Sequence, residues 1–280
     1  MNLDNNQLPH LIRLLEDTSE SVQDHVAQKI LAFGDRLEAE FNAIQMDVSP
    51  EDCARFRRFL AAHGAESCRK NAWRAWQDLP TSAAQLEGAL DVLSQYQFGW
   101  TPPIRLKEML DGLAKLYAES GYSVDPYGLG RFLFVGQAFR GMAEDYYNPL
   151  NSNLVHVIQE RRGIPISLAC VFILVGARSG LDIWGVNTPG HFLAAANVAG
   201  QIKLFDCFSH GHTLTPSEES DLRHSLPPQL SYVLGERATP RQIIVRILRN
   251  LINAYDRLDR EENADKFRSL LAELSIDEHV

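Results

Sequence analysis

Apolar residues recur at three- and four-residue intervals over most of the 280-residue chain, the spacing of helices with one buried face. Leu8, Leu11, Leu14 and Leu15 begin the pattern. Asp17-Thr18-Ser19 interrupts it and can cap a second helix, whose stripe is Val22, Val26, Ile30, Leu31 and Phe33 and whose end is Gly34. Ser49-Pro50-Glu51-Asp52 has the form of a helix start, acidic in its first turn. Helical spacing then continues through Phe56, Phe59 and Leu60, Trp73 and Trp76, Leu86, Leu90 and Leu93, and Leu106, Met109, Leu110 and Leu113. Breaks fall at Gly64, Pro80 and Thr101-Pro102-Pro103. Both tryptophans are expected in the core, where large apolar rings partition. Residues 119–130 read as a loop, and the spacing over 132–142 fits either a helix or a strand–helix passage.

The pattern changes at Tyr146. Tyr146-Tyr147-Asn148-Pro149 predicts a turn, Asn151 or Ser152 can cap a helix over 154–162, and Gly163 suits the position after that helix. Gly163-Ile164-Pro165 then opens the longest apolar run, to Ala177. Two alternating segments, 191–196 and 201–206, flank Asn-Val-Ala-Gly, which reads as a four-residue hairpin loop. That loop places His191 directly opposite Asp206, on one face with Leu193, Ala195, Ile202 and Leu204. A slip of one residue would send the two to opposite faces. Further on, Thr239-Pro240 opens a helix whose buried face is Ile243, Ile244, Ile247, Leu248, Leu251, Ile252 and Tyr255. A last helix carries Ala264, Phe267, Leu270, Leu271 and Leu274.

Charge narrows the function classes. The formal net charge is -9 and no Lys/Arg run is present, which argues against nucleic acid as a partner. The run over 164–177 is too short for a bilayer, so no membrane span is expected. MNLDNNQLPH has neither a basic n-region nor an apolar h-region, so no signal peptide is expected. Cys53, Cys68, Cys170 and Cys207 form no CxxC pair and read as free thiols in a reducing compartment, hence a cytoplasmic location. His210 and His212 lack the companions of a metal site, and no metal or cofactor is expected.

A helix, a strand carrying a histidine and a strand carrying an aspartate form the skeleton of a thiol-type acyl-transfer site. An Asp beside His191 would hold the ring's tautomer and stabilise its imidazolium, though buried His–Asp pairs also serve structure alone. The nucleophile is the missing part. A reactive thiol works best at a helix N-terminus, yet Pro165 stands there. Ser167 lies in the first turn, where a serine also serves as an ordinary helix-start residue. Cys170, five residues past Pro165, is turned by about 140° and set about 7.5 Å further along the helix. Its neighbours Leu168, Val171, Phe172 and Leu174 suit a core thiol. Cys207, next to Asp206, should point to the opposite face.

Several stretches resemble known families. LPHLIRLLEDTSESVQDHVAQKILAFG resembles a single HEAT-type repeat, and RNLINAYDRLDREENADKFRSLL resembles part of a tetratricopeptide unit. YYNPLNSNLVHVIQERRGIPISL, GARSGL, GVNTPGHFL and LFDCF, in that order, resemble the transglutaminase-like superfamily, in its bacterial SirB-type branch that also occurs in an F-box protein. The resemblance implies an α+β fold, predominantly helical. Its papain/transglutaminase-like core would be a central helix on a small antiparallel sheet. The implied organisation is a HEAT-like pair (1–45), a helical region (46–145), the core (146–235) and a tetratricopeptide-like pair (236–280). In catalytic members a Cys at the central helix start, a His and an Asp form the triad. The His falls on His191 and the Asp on Asp206, while the Cys falls on or beside Pro165, where no thiol stands. Cys207 also departs from the branch, which has Pro after the Asp. The resulting expectation is a non-catalytic module contacting a protein or peptide, its cleft wall formed by Tyr146, Tyr147, Asn151, Arg162 and His191. The alternative is a Ser- or Cys-dependent hydrolase or acyltransferase in which Ser167 or Cys170 acts with His191 and Asp206.

Overall fold

The computed structural model describes residues 7–17, 19–31, 33, 37–44, 48–59, 73–98 and 105–276. The expected features at Thr18, Gly34, Leu60, Gly64, Cys68 and Thr101-Pro102-Pro103 lie outside the described residues. The chain divides into two compact units, Met1–Ala75 with Phe98–Pro102, and Trp76–Gln97 with Pro103–Val280.

The first unit contains α1 (Leu8–Arg13), α2 (Glu20–Leu31), α3 (Leu37–Ile44) and α4 (Pro50–Phe59). The apolar spacing converges on one core, in which Leu8, Ile12, Ile30 and Phe56 are fully buried. The Phe41 and Phe56 ring centroids lie 4.4 Å apart. Asp17 Oδ1 accepts from Ser19 N at 2.9 Å ahead of α2, and Ser49 Oγ accepts from Asp52 N at 3.1 Å at the head of α4. Trp73 of this unit and Trp76 of the second unit are both buried.

The second unit holds the site. Its helices α5 (Ser82–Phe98), α6 (Leu106–Glu119) and α7 (Pro126–Arg131) precede a two-residue strand, β1 (Arg140–Gly141). The segment over 132–142, undecided from spacing, is a π-turn at Phe132–Gly136 followed by β1. Next come α8 (Leu154–Glu160), β2 (Arg162–Gly163) and α9 (Pro165–Arg178). Asn151 and Ser152 do not cap α8, because they belong to a 3-10 turn that Asn148 caps through a 3.0 Å bond from Leu150 N. Asn153 is the cap: its Oδ1 accepts from Val155 N at 3.1 Å and His156 N at 3.3 Å, and from Ser94 Oγ of α5 at 3.2 Å. Arg161, with φ 56°, ends α8 in the left-handed conformation expected of Gly163. Gly163 instead pairs with Gly141 in the parallel β1–β2 ladder. A Cβ there would stand 2.7 Å from Ser167 Oγ and 3.1 Å from Val157, so close approach demands the glycine.

α9 is the centre of this unit. Every residue from Pro165 to Gly176 is buried, as befits a helix apolar all round. It packs against α6, α7 and α8. It also meets β3 (Ile183–Val186) and β4 (Leu193–Val198) of a sheet that continues with β5 (Gln201–Asp206) and β6 (His212–Thr213). Each buried Leu, Val, Ile or Phe of such a helix contributes about 1.5–3 kcal/mol. At its C-terminus Arg178 donates to Asp111 at 2.7 Å and Glu87 at 2.8 Å, tying α9 to α6 and α5 with a cation at the negative end of the dipole. The sheet is antiparallel in the order β3-β4-β5-β6. After α10 (Pro216–Ser225) come α11 (Pro240–Arg257) and α12 (Glu261–Ile276). Thr239 and Gln242 cap α11 reciprocally at 3.2 and 2.9 Å. Tyr255 of α11 stacks on Phe267 of α12, centroids 5.5 Å apart.

The hairpin register corrects the expected one. Val198 pairs with Gln201 and Ala195 with Leu204, so the connection is a two-residue turn, not a four-residue loop. Ala199 (φ 52°) and Gly200 (φ 81°) both take positive φ, the pattern of a type I′ turn whose twist suits a hairpin. Continued to the end of β5, this register sets Leu193, not His191, across from Asp206. The difference is two residues, and side chains alternate with period two. His191 therefore keeps the face of Asp206 and meets it diagonally.

Candidate functional site

His191 lies between a tight turn and β4. Thr188, fully buried, donates its hydroxyl to the His191 carbonyl and its N–H to Val186 O at 3.0 Å. Gly190 takes φ 73° between them, a conformation glycine adopts without strain. Asp206 ends β5. Its Oδ1 accepts from Phe208 N at 3.0 Å and Ser209 N at 3.1 Å, and its Oδ2 accepts from Ser209 Oγ at 2.9 Å. The carboxylate is thus held by the backbone that follows it, an Asx-type turn.

His191 Nε2 stands 3.0 Å from Asp206 Oδ1. The oxygen lies off the N–H direction, so the contact is close without an aligned hydrogen bond. The imidazole side chain is 34% exposed and the carboxylate 17%; Nε2 is buried against Asp206, so the rest of the ring is the part of the pair open to a ligand. Burial pushes the Asp206 carboxyl up, but His191 and the Ser209 donors outweigh it and hold the group below its ordinary value.

Aromatic rings extend from the imidazole. Phe208 meets the His191 ring edge-on at 6.4 Å and the Tyr146 ring at 6.3 Å, and Tyr146 meets Tyr147 at 5.3 Å. The Arg257 guanidinium stacks 3.8 Å from the Tyr147 ring. Tyr146 and Tyr147 are both exposed. Asn151 is buried, and its amide donates to the carbonyls of Asp145 and Tyr146, so it holds the tyrosine turn from beneath. Arg162 is exposed on β2, and no hydrogen bond or ion pair joins it to His191 or Asp206.

The nucleophile candidates lie inside α9. Pro165 occupies its first position. Ser167 is buried, donates to Ile164 O at 3.0 Å and accepts from Ile164 N at 3.1 Å, which closes the first turn. Cys170 is fully buried, and burial pushes its thiol far up. Cys207 is also fully buried, its thiol pushed up by burial and then by Asp206 and Cys170 nearby. No hydrogen bond or ion pair joins Ser167 or Cys170 to His191 among the described residues. Nor do the described residues include three His, Cys, Asp or Glu grouped to hold a metal ion. No helix among them is long and apolar enough to cross a membrane.

Sequence reasoning missed Thr188, Phe208 and Ser209. A legible trace existed for Phe208, since an Asp side chain commonly bonds the backbone amide two residues on.

A buried helix packed on a small antiparallel sheet, with an imidazole and a carboxylate side by side at the sheet's end, defines an α+β module of transglutaminase-like type. The chain belongs to the transglutaminase-like superfamily, whose family model matches residues 105–249. It is similar to a UPF0162 protein of Xylella fastidiosa, 37% identical over 145 residues, 49% of this chain and 50% of that one. A UPF0162 protein of Pseudomonas aeruginosa is 28% identical over 173 residues, 60% of this chain and 63% of that one. F-box only protein 21 of Mus musculus is 28% identical over 150 residues, 48% of this chain and 21% of that one. The chain spans about half the length of the Xylella relative. No solved structure matches.

Proposed function

We propose that the protein is a non-catalytic transglutaminase-like module of the SirB-type branch. It uses the surface around His191 to bind a protein or peptide, in a regulatory role in the cytoplasm. One observation carries the reading. The imidazole of the His191–Asp206 pair is open to solvent, while the hydroxyl of Ser167 is engaged with Ile164 and the thiol of Cys170 is enclosed. Histidine, Tyr146 and Tyr147 then make an exposed aromatic and polar surface of the kind that dominates binding hot spots. A related stretch making up 21% of an F-box protein fits a portable binding module. The helical pairs at the two ends, HEAT-like and tetratricopeptide-like by sequence, fit contacts with protein.

The test is selection of peptides from a random displayed library on the full chain, followed by affinity measurement on His191→Ala and Tyr147→Ala. Enriched peptides should lose affinity at least tenfold in both variants. Peptides indifferent to both would remove the reading. Hydrolysis or amine incorporation that disappears in Ser167→Ala or Cys170→Ala would replace it with the enzyme.

A further inference from the structure

A second concave site lies beside the His191 turn. A cleft of about 660 Å³ separates the Asn187–Gly190 turn from α11, a volume in the range of small-molecule sites. Gln242, Arg246, Arg249 and Asn250 line it from α11, at intervals of four, three and one residues, one polar face of the helix. Arg241 joins them, and no carboxylate lines the cleft among the described residues. Arg246 and Arg249 line it together, with Arg241 at its edge, in a chain of formal net charge -9. The buried stripe of α11, Ile243, Ile244, Ile247 and Leu248, belongs to the helix's other side. The arginines are therefore not a by-product of a uniformly basic surface.

The arrangement is also held in place. Arg246 Nη1 donates to Asn187 Oδ1 and to Thr188 O, each at 2.6 Å, which fixes one corner of a planar guanidinium at the cleft wall. Burial lowers the pKa of Arg246, so an anion beside it would offset a desolvation already present. Arg241 is anchored to Leu274 O of α12. Arg249 is exposed on the same face. A wall rich in N–H donors, with no carboxylate among its described lining residues, matches oxygen atoms carrying negative charge, and planar guanidinium groups bind carboxylate and phosphate in pairs of hydrogen bonds.

We propose that this cleft binds a small ligand bearing phosphate or carboxylate groups. The cleft adjoins the surface around His191, since Arg246 lies within electrostatic reach of Tyr146, but it does not depend on that surface binding peptide.

Calorimetric titration of the full chain with inorganic pyrophosphate and with citrate, at constant ionic strength, tests it. Saturable binding to at least one probe is expected. Arg249→Glu should weaken it at least tenfold, while Lys115→Glu on α6, outside the cleft, makes the same change of net charge and leaves affinity unaltered. Binding of pyrophosphate alone assigns a phosphate ligand, and of citrate alone a carboxylate one. Should the Glu variant melt at a lower temperature without ligand, Arg249→Gln takes its place. No saturable binding of either probe at millimolar concentration overturns the proposal. Equal weakening by Arg249→Glu and Lys115→Glu does so too, because the effect would then be general attraction and not a site.

Discussion

At Asp206 two oxygens receive two backbone amides, one hydroxyl and the approach of an imidazole. Asp206→Ala should therefore cost about 1.5–3 kcal/mol of stability, the range for hydrogen bonds to a charged group, read as a lower urea midpoint. The pH dependence has a definite sign. The folded carboxyl lies below its ordinary 3.8, so its stabilisation is complete above that value and is lost as pH falls through the lowered one. The stability gap between the wild type and Asp206→Asn should be full at pH 7 and should shrink below the ordinary carboxylate value. A gap of the same size in acid would contradict the assignment. The two core thiols have the opposite tendency, raised by burial. In the native protein at neutral pH, mass spectrometry after iodoacetamide should find Cys170 and Cys207 unmodified and the half-buried Cys53 labelled, with all three labelled in denaturant. At this scale the sequence was informative where chemistry is local. His191 and Asp206 stand out by type and alternation. Ser167 has the same atoms whether it caps or attacks, and only the bond to Ile164 distinguishes the two.

Elements behave as units of pattern. Ser167→Ala should destabilise by about 0.5–2 kcal/mol, the usual loss for a helix-start hydroxyl. Gly163→Ala should cost about 1–3 kcal/mol by crowding Ser167 and Val157, so Gly163→Ala made in Ser167→Ala should cost less than in the wild type. Additive losses in thermal melts would show that the two side chains do not collide. The central helix was readable because it is apolar throughout and opens on Gly-Ile-Pro. The hairpin was readable only to within its face. Its turn places Ala, not Asn, at the first positive-φ position, so the strongest short-range sign of a two-residue connection is missing. Parity preserved the expected proximity of His191 and Asp206, since a shift of two residues keeps sidedness. The same parity predicts that one extra residue in this turn separates His191 from Asp206, whereas two leave them on one side. Circular dichroism and the Asp206-dependent pH profile check this. The α8 cap escaped because three consecutive residues, Asn151, Ser152 and Asn153, can each cap, and the preceding 3-10 turn decides among them.

For the molecule as a whole, each unit has its own buried core. A chain beginning at Trp76 should thus retain a cooperative thermal transition and the near-ultraviolet signal of its aromatic residues, and a molten product would show that the second unit needs the first. Distance along the chain limited what the sequence could reveal here. The buried stripe of α11 is plain in its spacing, but its polar face becomes a cleft only because Asn187, 59 positions earlier, comes to Arg246. The same helix bears on where the family's stretch can be cut for exchange between proteins. That stretch stops at residue 249, while α11 runs on to Arg257, burying Leu251, Ala254 and Tyr255. A graft cut at the family boundary would sever α11 in mid-course and strip Tyr255 from Phe267. The transferable piece is therefore longer than the stretch the family model matches, and the tail must travel with the module.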